Sequence, residues 1–202
     1  NFIHKLSKFS KKASVIVSDV GQHQMWAAQS LELHKNQRFV TSGGMGSMGF
    51  GLPSSIAAAF IQSPSPIVLI AGDGGFQSNI QELQTVVHHN LPIKIVILNN
   101  RCHGMVRQFQ EQLFDKRYQS TLWGYSAPNF EKIALSYGIR AKTVKTESEI
   151  KKALEWLWKR PKDPQLLQVM IDTFTNAYPK IAFGQPNYKM EPFQFLESSK
   201  VV

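Results

Sequence analysis

Two apolar segments each end in side chains whose oxygen atoms could hold a cation. Residues 67–71 lead into Gly72-Asp73-Gly74-Gly75, and residues 93–98 lead into Asn99-Asn100, so Asn100 lies 27 positions after Asp73. This spacing suits two neighbouring parallel strands, because a strand–helix–strand unit needs about 30 residues or more. The carboxyl ends of such strands lie at the edge where open α/β sheets bind ligands.

Asp73 and Asn100 would supply only part of a metal site. A carboxylate, an amide oxygen and a few carbonyls, with phosphate oxygens added, form an octahedral set for Mg²⁺, which usually binds few protein ligands together with phosphates. The sequence therefore predicts magnesium and a phosphate-bearing cofactor. The alternative for residues 72–75 is an ordinary turn, but the Asn-Asn pair after the next strand favours the metal site.

A second candidate is the glycine-rich segment at residues 42–51. Gly44, Gly46 and Gly49 have the spacing of a dinucleotide-binding fingerprint, but the acidic residue expected about 20 positions later is missing, since no Asp or Glu lies between this segment and Asp73. Met48 either fills a gap in the core or packs its thioether against a flat ligand. Dinucleotide binding is the less favoured alternative.

The segments that must position these residues alternate between strand and helix patterns. Strands are predicted at 15–19, 38–40, 67–71, 93–98, 141–144 and 166–172, and helices at 22–33, 53–61, 77–89, 106–113, 129–137 and 146–159. This order predicts an α/β fold with a doubly wound, mainly parallel sheet flanked by helices. The predicted domain spans 14–172, between a basic lead-in (1–13) and an extended arm (173–202). Irregular residues 114–127 are a candidate for a loop over the site.

Composition limits the class of protein and its partners. The 202 residues, 43% hydrophobic and 18% charged, suffice for one substantial core, and no apolar run approaches the roughly 18 residues that span a bilayer. The net charge of +9 is concentrated at residues 5–12 and 142–162, which we interpret as solvated faces. The single cysteine, Cys102, excludes an internal disulfide and fits a reducing cytoplasm. We expect a cytoplasmic protein with neither a membrane nor a nucleic acid as partner.

Besides Gly72-Asp73-Gly74 and Asn99-Asn100, four ordered blocks carry a resemblance to a known family. They are residues 19–29 (DVGQHQMWAAQ), 42–53 (SGGMGSMGFGLP), 81–85 (QELQT) and 104–106 (GMV). Together they resemble the cofactor-diphosphate-binding domain of thiamine-diphosphate-dependent enzymes, in particular the acetolactate synthase branch. The resemblance covers about residues 14–172 and implies the thiamine-diphosphate-binding fold.

The resemblance also implies site roles. Mg²⁺ would bind Asp73, Asn100 and a backbone carbonyl near Cys102. Gly46 and Met48 would contact the middle of the cofactor, with Met48 between its two rings, and most of the other residues would surround the diphosphate. The predicted cofactor-binding residues are Gly21, Gln22, His23, Gly46, Met48, Gly72, Asp73, Gly74, Gly75, Asn100, Cys102, His103, Gly104 and Met105.

The implied activity is decarboxylation of a 2-keto acid such as pyruvate and ligation of the product to a second keto acid, as in branched-chain amino acid synthesis. No catalytic residue is expected in this chain, because the family's activating glutamate lies in a pyrimidine-binding domain, which the same or a partner chain would supply. FAD would enter only through a further domain. The cofactor lies between two chains in this family, so a homodimer or homotetramer is implied.

Two features differ from the synthases. They usually have Gln-Trp after Gly-Met-Val, where this chain has Arg107-Gln108-Phe109, and residues 178–186 differ from their usual ending. The tryptophan helps to select the second keto acid, so the choice of keto acids stays open. The alternatives are a decarboxylase or carboligase of another pathway, such as cell-surface sugar synthesis, and a catalytically incomplete cofactor-binding subunit. The chain begins with Asn rather than Met, so we expect a fragment of a longer protein, and the choice between a fragment and a natural split subunit stays open.

Overall fold

The centre of the molecule is a six-stranded sheet in which all strands are parallel. The computed structural model describes residues 2–182 and 184–192. The strands are β1 (Val15–Ser18), β2 (Arg38–Thr41), β3 (Ile67–Gly72), β4 (Ile93–Asn99), β5 (Arg140–Val144) and β6 (Gln165–Met170), and their order across the sheet is β2-β1-β3-β4-β6-β5. The predicted α/β fold with a mainly parallel sheet is confirmed.

The sheet is buried on both faces, as the apolar runs of its central strands predict. In β3, Ile67 and Leu69 pack into one core cluster, whereas Val68 and Ile70 pack into another on the opposite face. The helices are α1 (Phe2–Phe9), α2 (Gln22–Ser30), α3 (Gly51–Gln62), α4 (Asp73–Gln77), α5 (Leu83–His88), α6 (Gly104–Leu113), α7 (Phe130–Ser136) and α8 (Ile150–Trp158). Helices α3, α5 and α7 contribute to the first cluster and α1, α2 and α8 to the second, so the sheet is doubly wound. No helix among the described residues is long and apolar enough to cross a membrane.

The basic lead-in contains a helix that the sequence analysis did not predict. In α1, Ile3 and Leu6 are buried in the second core cluster, while Lys5 forms an ion pair with Glu147 at 2.8 Å. The helix is short, and a histidine, a serine and two lysines interrupt its apolar residues. Its apolar residues three positions apart nevertheless form the single face that a surface helix needs.

The prediction of one continuous helix over residues 77–89 is wrong, because the structure has two shorter helices there. Helix α4 already begins at Asp73, and a 3₁₀ turn at Ile80–Glu82 separates it from α5. Asn79, which precedes that turn, donates a side-chain hydrogen bond to the Gly49 carbonyl at 2.7 Å. Asparagine side chains that bond the backbone in this way favour turns over continuous helix, and here the turn ties α4 to the glycine-rich segment.

The arm after β6 crosses α6 and then forms a short antiparallel pair, β7 (Lys180–Ile181) and β8 (Met190–Glu191). Arg107 in α6 is fully buried and donates to Glu111 at 2.6 Å, to the Thr175 carbonyl at 3.3 Å and to the Asn176 side chain. The first part of the arm is therefore held on the domain. Residue 183 and residues 193–202 of the predicted arm lie outside the described residues, and the boundaries at 13 and 172 stay predictions.

Lys94, near the amino end of β4, is a fully buried charged residue. Its Nζ donates to the carbonyls of Arg160 at 2.5 Å and Asp163 at 2.6 Å and to Oε1 of Gln165 at 3.0 Å. Burial lowers the pKa of Lys94 to about 8, so the ammonium group is protonated at neutral pH and its three protons meet three acceptors. This contact fixes the turn before β6.

Candidate functional site

The order of the strands creates a crevice between β1 and β3. The chain leaves β1 for β2 on one side and returns to β3 on the other, which is the switch point where doubly wound sheets bind ligands. A cavity of about 240 Å³ opens there. All fourteen residues predicted to bind the cofactor line it, and Val20, Trp26, Leu98 and Val106, which the prediction missed, line it as well. Their roles toward a ligand stay predictions.

Asp73 is the first residue of α4, directly after β3, and is only 2% exposed. The Tyr125 hydroxyl donates to its Oδ2 atom at 3.0 Å. Burial raises the pKa of Asp73 to about 6, although the hydrogen bond from Tyr125 opposes the rise. No ion pair found among the described residues includes Asp73. A buried carboxylate without a cation is costly, so this group is suited to bind one.

Asn100 follows β4 and is held by hydrogen bonds at both ends of its amide. Its Nδ2 donates to Oε1 of Gln22 at 3.2 Å, and its Oδ1 accepts from the Cys102 N–H at 3.2 Å. The adjacent Asn99 instead donates to Gln168 at 3.3 Å and accepts from the Arg101 N–H at 3.0 Å. The two asparagines therefore differ, because only Asn100 lines the cavity.

Gln22 joins Asn100 to the arm. Its Nε2 donates to Oε1 of Gln108 at 3.0 Å and to the Thr175 carbonyl at 3.2 Å. Gln108 in turn accepts from the Ala177 N–H at 2.9 Å and donates to the Ala177 carbonyl at 3.2 Å. The start of the arm and the predicted metal ligand thus share one buried network of amides.

His23 lies at the start of α2, as predicted, and is 4% exposed. Its Nε2 atom is buried and has no hydrogen-bond partner among the described residues. Burial lowers the pKa of His23 to about 4, so the imidazole is neutral near pH 7. A buried ring nitrogen without a partner is uncommon and marks a position where a ligand atom could complete the hydrogen bonding.

The glycines of the site bring backbone close to side chains that line the cavity. A Cβ atom on Gly72 would lie 2.9 Å from Nδ1 of His23, and one on Gly74 would lie 2.7 Å from the His103 ring and 3.3 Å from the Met48 methyl group. Any larger residue would displace these rings. Gly46 has a φ of +65°, which other residues rarely adopt.

Asp19 and Tyr125 are two residues that the sequence analysis did not assign to the site. Asp19, after β1, accepts from the N–H groups of Val20 at 2.6 Å and Gly49 at 3.0 Å, and so holds the glycine-rich segment. Its Oδ2 is buried without a partner in the described structure, and burial raises the pKa of this carboxyl. A carboxylate at the end of a buried strand was the available signal for Asp19, the same signal that identified Asp73.

Cys102 and His103 lie in the turn between β4 and α6. The Cys102 thiol lies 3.5 Å from the Thr173 carbonyl, and burial raises its pKa to about 11, so it is not an ionised ligand near pH 7. The predicted metal contact through a backbone carbonyl near Cys102 stays a prediction. The His103 ring meets the Tyr125 ring edge to face, with 4.5 Å between centroids, and burial lowers the pKa of His103.

A comparison of the sequence with protein families identifies the domain. Residues 19–169 match the family described as thiamine pyrophosphate enzyme, C-terminal TPP binding domain. The chain belongs to this family. Thiamine pyrophosphate is thiamine diphosphate under another name, so the predicted resemblance is confirmed.

Known relatives narrow the match to the predicted branch of this thiamine pyrophosphate family. The acetolactate synthase large subunit of Porphyra purpurea is 42% identical over 173 residues, which are 86% of this chain and 29% of that protein. The acetolactate synthase isozyme 2 large subunit of Escherichia coli K12 is 39% identical over 188 residues (93% and 34%). The acetolactate synthase large subunit of Lactococcus lactis is 35% identical over 200 residues (99% and 34%). The chain is acetolactate synthase-like and spans about a third of the length of these relatives.

The site residues fit thiamine pyrophosphate with a divalent cation. Within the described residues, no group of three or more His, Cys, Asp or Glu side chains could hold a metal, but Mg²⁺ bound with phosphates requires only one or two carboxylates. Asp73 supplies one carboxylate that lacks a cation, and Asn100 supplies an amide. The close glycine backbone at the same cavity suits a diphosphate, and the unpartnered His23 nitrogen can exchange a hydrogen bond with a ligand atom.

Proposed function

We propose that this chain is the diphosphate- and metal-binding part of an enzyme that decarboxylates a 2-keto acid such as pyruvate and ligates the product to a second keto acid. The observation that carries the proposal is the meeting of Asp73, Asn100 and His23 at one cavity, where the buried Asp73 carboxylate is in no ion pair of the described residues and a His23 ring nitrogen is without a partner in them. Similarity to acetolactate synthases supports the choice of reaction. We expect the enzyme in the cytoplasm.

In this proposal, the residues that line the cavity bind different parts of the cofactor. Asp73 and Asn100 hold Mg²⁺ with a backbone carbonyl near Cys102, and the network through Gln22 fixes the Asn100 amide. His23 and the glycine backbone bind and orient the diphosphate, while Gly46 and Met48 contact the middle of the cofactor. Bound thiamine pyrophosphate supplies a nucleophilic carbon and an electron sink for the keto acid, whereas the protein supplies binding and orientation.

The remaining machinery lies outside this chain in the proposal. A pyrimidine-binding domain of the same or a partner chain supplies the activating glutamate, and the cofactor lies between two chains of a homodimer or homotetramer. FAD, where present, belongs to a further domain. The matched relatives are about three times as long as the region they share with this chain, which leaves room for such domains.

Calorimetry of the chain tests the binding role. We expect Mg²⁺ and thiamine pyrophosphate to bind together, inorganic pyrophosphate to compete, and thiamine without its diphosphate not to compete. Asp73→Ala should abolish the heat of binding. Equal binding by the wild type and Asp73→Ala would remove Asp73 from the metal site, and competition by thiamine alone would contradict recognition of the diphosphate end.

The neighbouring asparagines provide a matched pair of variants. Asn100→Ala should weaken Mg²⁺ binding at least about 10-fold, because it removes a ligand and breaks the bond to Gln22. Asn99→Ala should leave Mg²⁺ binding unchanged and lower the free energy of unfolding by about 1 kcal/mol, because its amide bonds Gln168 at the end of the sheet. The reverse pattern would assign the metal ligand to Asn99.

The reaction is tested with the full-length enzyme that contains this chain. Incubation with pyruvate, followed by acid treatment, should yield acetoin from acetolactate. Consumption of pyruvate without acetoin would indicate a decarboxylase or carboligase of another pathway. No consumption of any 2-keto acid despite cofactor binding would indicate a cofactor-binding subunit without its own turnover.

A further inference from the structure

Tyr125 brings a phenol from a distant loop to the predicted metal ligand. It lies between α6 and α7, 52 positions from Asp73, and its hydroxyl donates to Oδ2 of Asp73 at 3.0 Å. Residues 114–127, which include Tyr125, are predicted from the sequence to be an irregular segment and a candidate for a loop over the site. Among the side chains that the structure describes, Tyr125 is the one found to donate a hydrogen bond to the Asp73 carboxylate.

Gln77 fixes the direction of the Tyr125 hydroxyl proton. Its Nε2 donates to the phenol oxygen at 3.2 Å and to the Asp73 carbonyl at 3.3 Å. Because the phenol oxygen accepts from Gln77, its own proton is directed to Asp73. A phenol is protonated at neutral pH, so the hydroxyl remains a donor.

The loop that carries Tyr125 is tied to the site on its other side. The Thr121 carbonyl accepts from the His103 N–H at 3.0 Å, and the Thr121 hydroxyl donates to Gln110 of α6 at 2.5 Å. The Tyr125 ring itself packs on the edge of His103. The position of the phenol is therefore determined by the same turn that presents the residues after β4.

We infer that Tyr125 is a positioning residue that orients Asp73 for the divalent cation. The inference rests on the proposed function, because it takes Asp73 as a metal ligand. The phenol donates to Oδ2 and so fixes the rotation of the carboxylate, which the backbone N–H groups of Asp73, Gly74 and Arg101 also contact. Hydrogen bonds of this kind hold ligating carboxylates in place, and removing one typically weakens metal binding by about 10- to 100-fold.

The test replaces the phenol and measures the metal directly. Mn²⁺ is titrated into the chain with saturating thiamine pyrophosphate, and free Mn²⁺ is measured by electron paramagnetic resonance. Tyr125→Phe should bind the same number of Mn²⁺ ions about 10-fold more weakly, while the unfolding temperature of the metal-free protein stays within about 2 °C of the wild type, since one half-exposed hydrogen bond contributes little.

Tyr118→Phe is the matched control, because Tyr118 lies in the same loop and packs on Trp123 and Phe174 away from Asp73. It should bind Mn²⁺ as the wild type does. Equal loss of Mn²⁺ affinity in both variants would show that Tyr125 has only a general structural role and would overturn the inference. Stronger Mn²⁺ binding by Tyr125→Phe would also overturn it, because the phenol would then compete with the cation.

Failure of the proposed function gives a different result from failure of this inference. If the wild type binds no Mn²⁺ with thiamine pyrophosphate, both are wrong. If the wild type binds and Tyr125→Phe binds equally well, only the role of Tyr125 is wrong. Should Tyr125→Phe not fold, Gln77→Leu, which releases the phenol from its second partner, must show weaker Mn²⁺ binding for the inference to stand.

Discussion

Asp73, directly after β3, and Lys94, in the neighbouring strand β4, are buried charged residues at opposite ends of the sheet. Lys94, at the amino end, has one acceptor for each of its three protons. Asp73, at the carboxyl end, is found in no ion pair of the described residues, and the nearby His23 and Asp19 each have an unpartnered buried atom. A buried charge that is fully satisfied serves the fold, whereas one without its counter-charge indicates a missing ligand.

The strongest test of this comparison is Asp73→Asn. We expect Mg²⁺ and thiamine pyrophosphate affinity to fall by more than about 100-fold, or at least about 2.7 kcal/mol, because a ligand oxygen and its charge are lost. The free energy of unfolding of the metal-free protein should stay the same or rise, because an uncompensated buried charge is removed. Calorimetry and urea denaturation measure the two quantities, and a marked loss of stability would show that Asp73 is structural.

Lys94→Met should give the opposite result. Three buried acceptors lose their donor, so we expect the free energy of unfolding to fall by about 3 kcal/mol. The folded variant should bind Mg²⁺ and thiamine pyrophosphate as the wild type does, because Lys94 lies at the other end of the sheet. Urea denaturation and calorimetry of the same preparation provide the check, and weaker cofactor binding would contradict the separation of the two ends.

The lowered pKa of His23 predicts that the free energy of unfolding depends on pH. Its pKa is lowered from 6.5 to about 4 in the folded chain, so the unfolded chain binds more protons between these values and stability falls as the pH is lowered through that window. The full contribution is about 3 kcal/mol. The raised pKa of Asp73 acts in the opposite direction, so the quantity to measure is the difference between the wild type and His23→Gln in urea denaturation at pH 7 and pH 4. Parallel curves would contradict a neutral buried imidazole.

The smallest effect is expected at the arm. Gln108→Leu removes the bonds to Gln22 and Ala177, so cleavage by trypsin after Lys180 or Lys189 should accelerate about 5- to 10-fold, equivalent to about 1 kcal/mol of local stability. Gln62→Leu, on α3, should be cleaved at the wild-type rate. If Asn100 depends on the arm through Gln22, Mg²⁺ and thiamine pyrophosphate should slow cleavage of the wild type more than that of Gln108→Leu.

The unit formed by β3, β4 and the residues after them was predictable, because the sequence signals that define it are local. The apolar runs of β3 and β4, the glycines around Asp73 and the Asn-Asn pair place two strand ends together by topology alone. The capping box of Thr146 and Glu149, an N-terminal helix signal read from four positions, is likewise present. Each of these features depends on residues that are close in sequence or on the fixed geometry of parallel strands.

The remaining features depend on contacts that sequence spacing does not reveal. The bond from Tyr125 to Asp73 and the clamp of Arg107 on Thr175 and Asn176 join segments 52 and about 70 positions apart. The break between α4 and α5 follows from Asn79, whose amide bonds Gly49 on another element. Local pattern identifies which residues can form a turn, but tertiary contacts decide which of them do so.

The cavity gathers residues from Val20 to Val106, and the arm joins it through Thr175, so binding requires elements from distant parts of the chain to be folded at once. A ligand with that requirement stabilises the folded state by mass action, by about 2.7 kcal/mol at one hundred times its dissociation constant. In a living cell, vitamin supply would then govern the lifetime of this protein. We expect cells deprived of thiamine to degrade this protein faster than cells with an ample supply of thiamine.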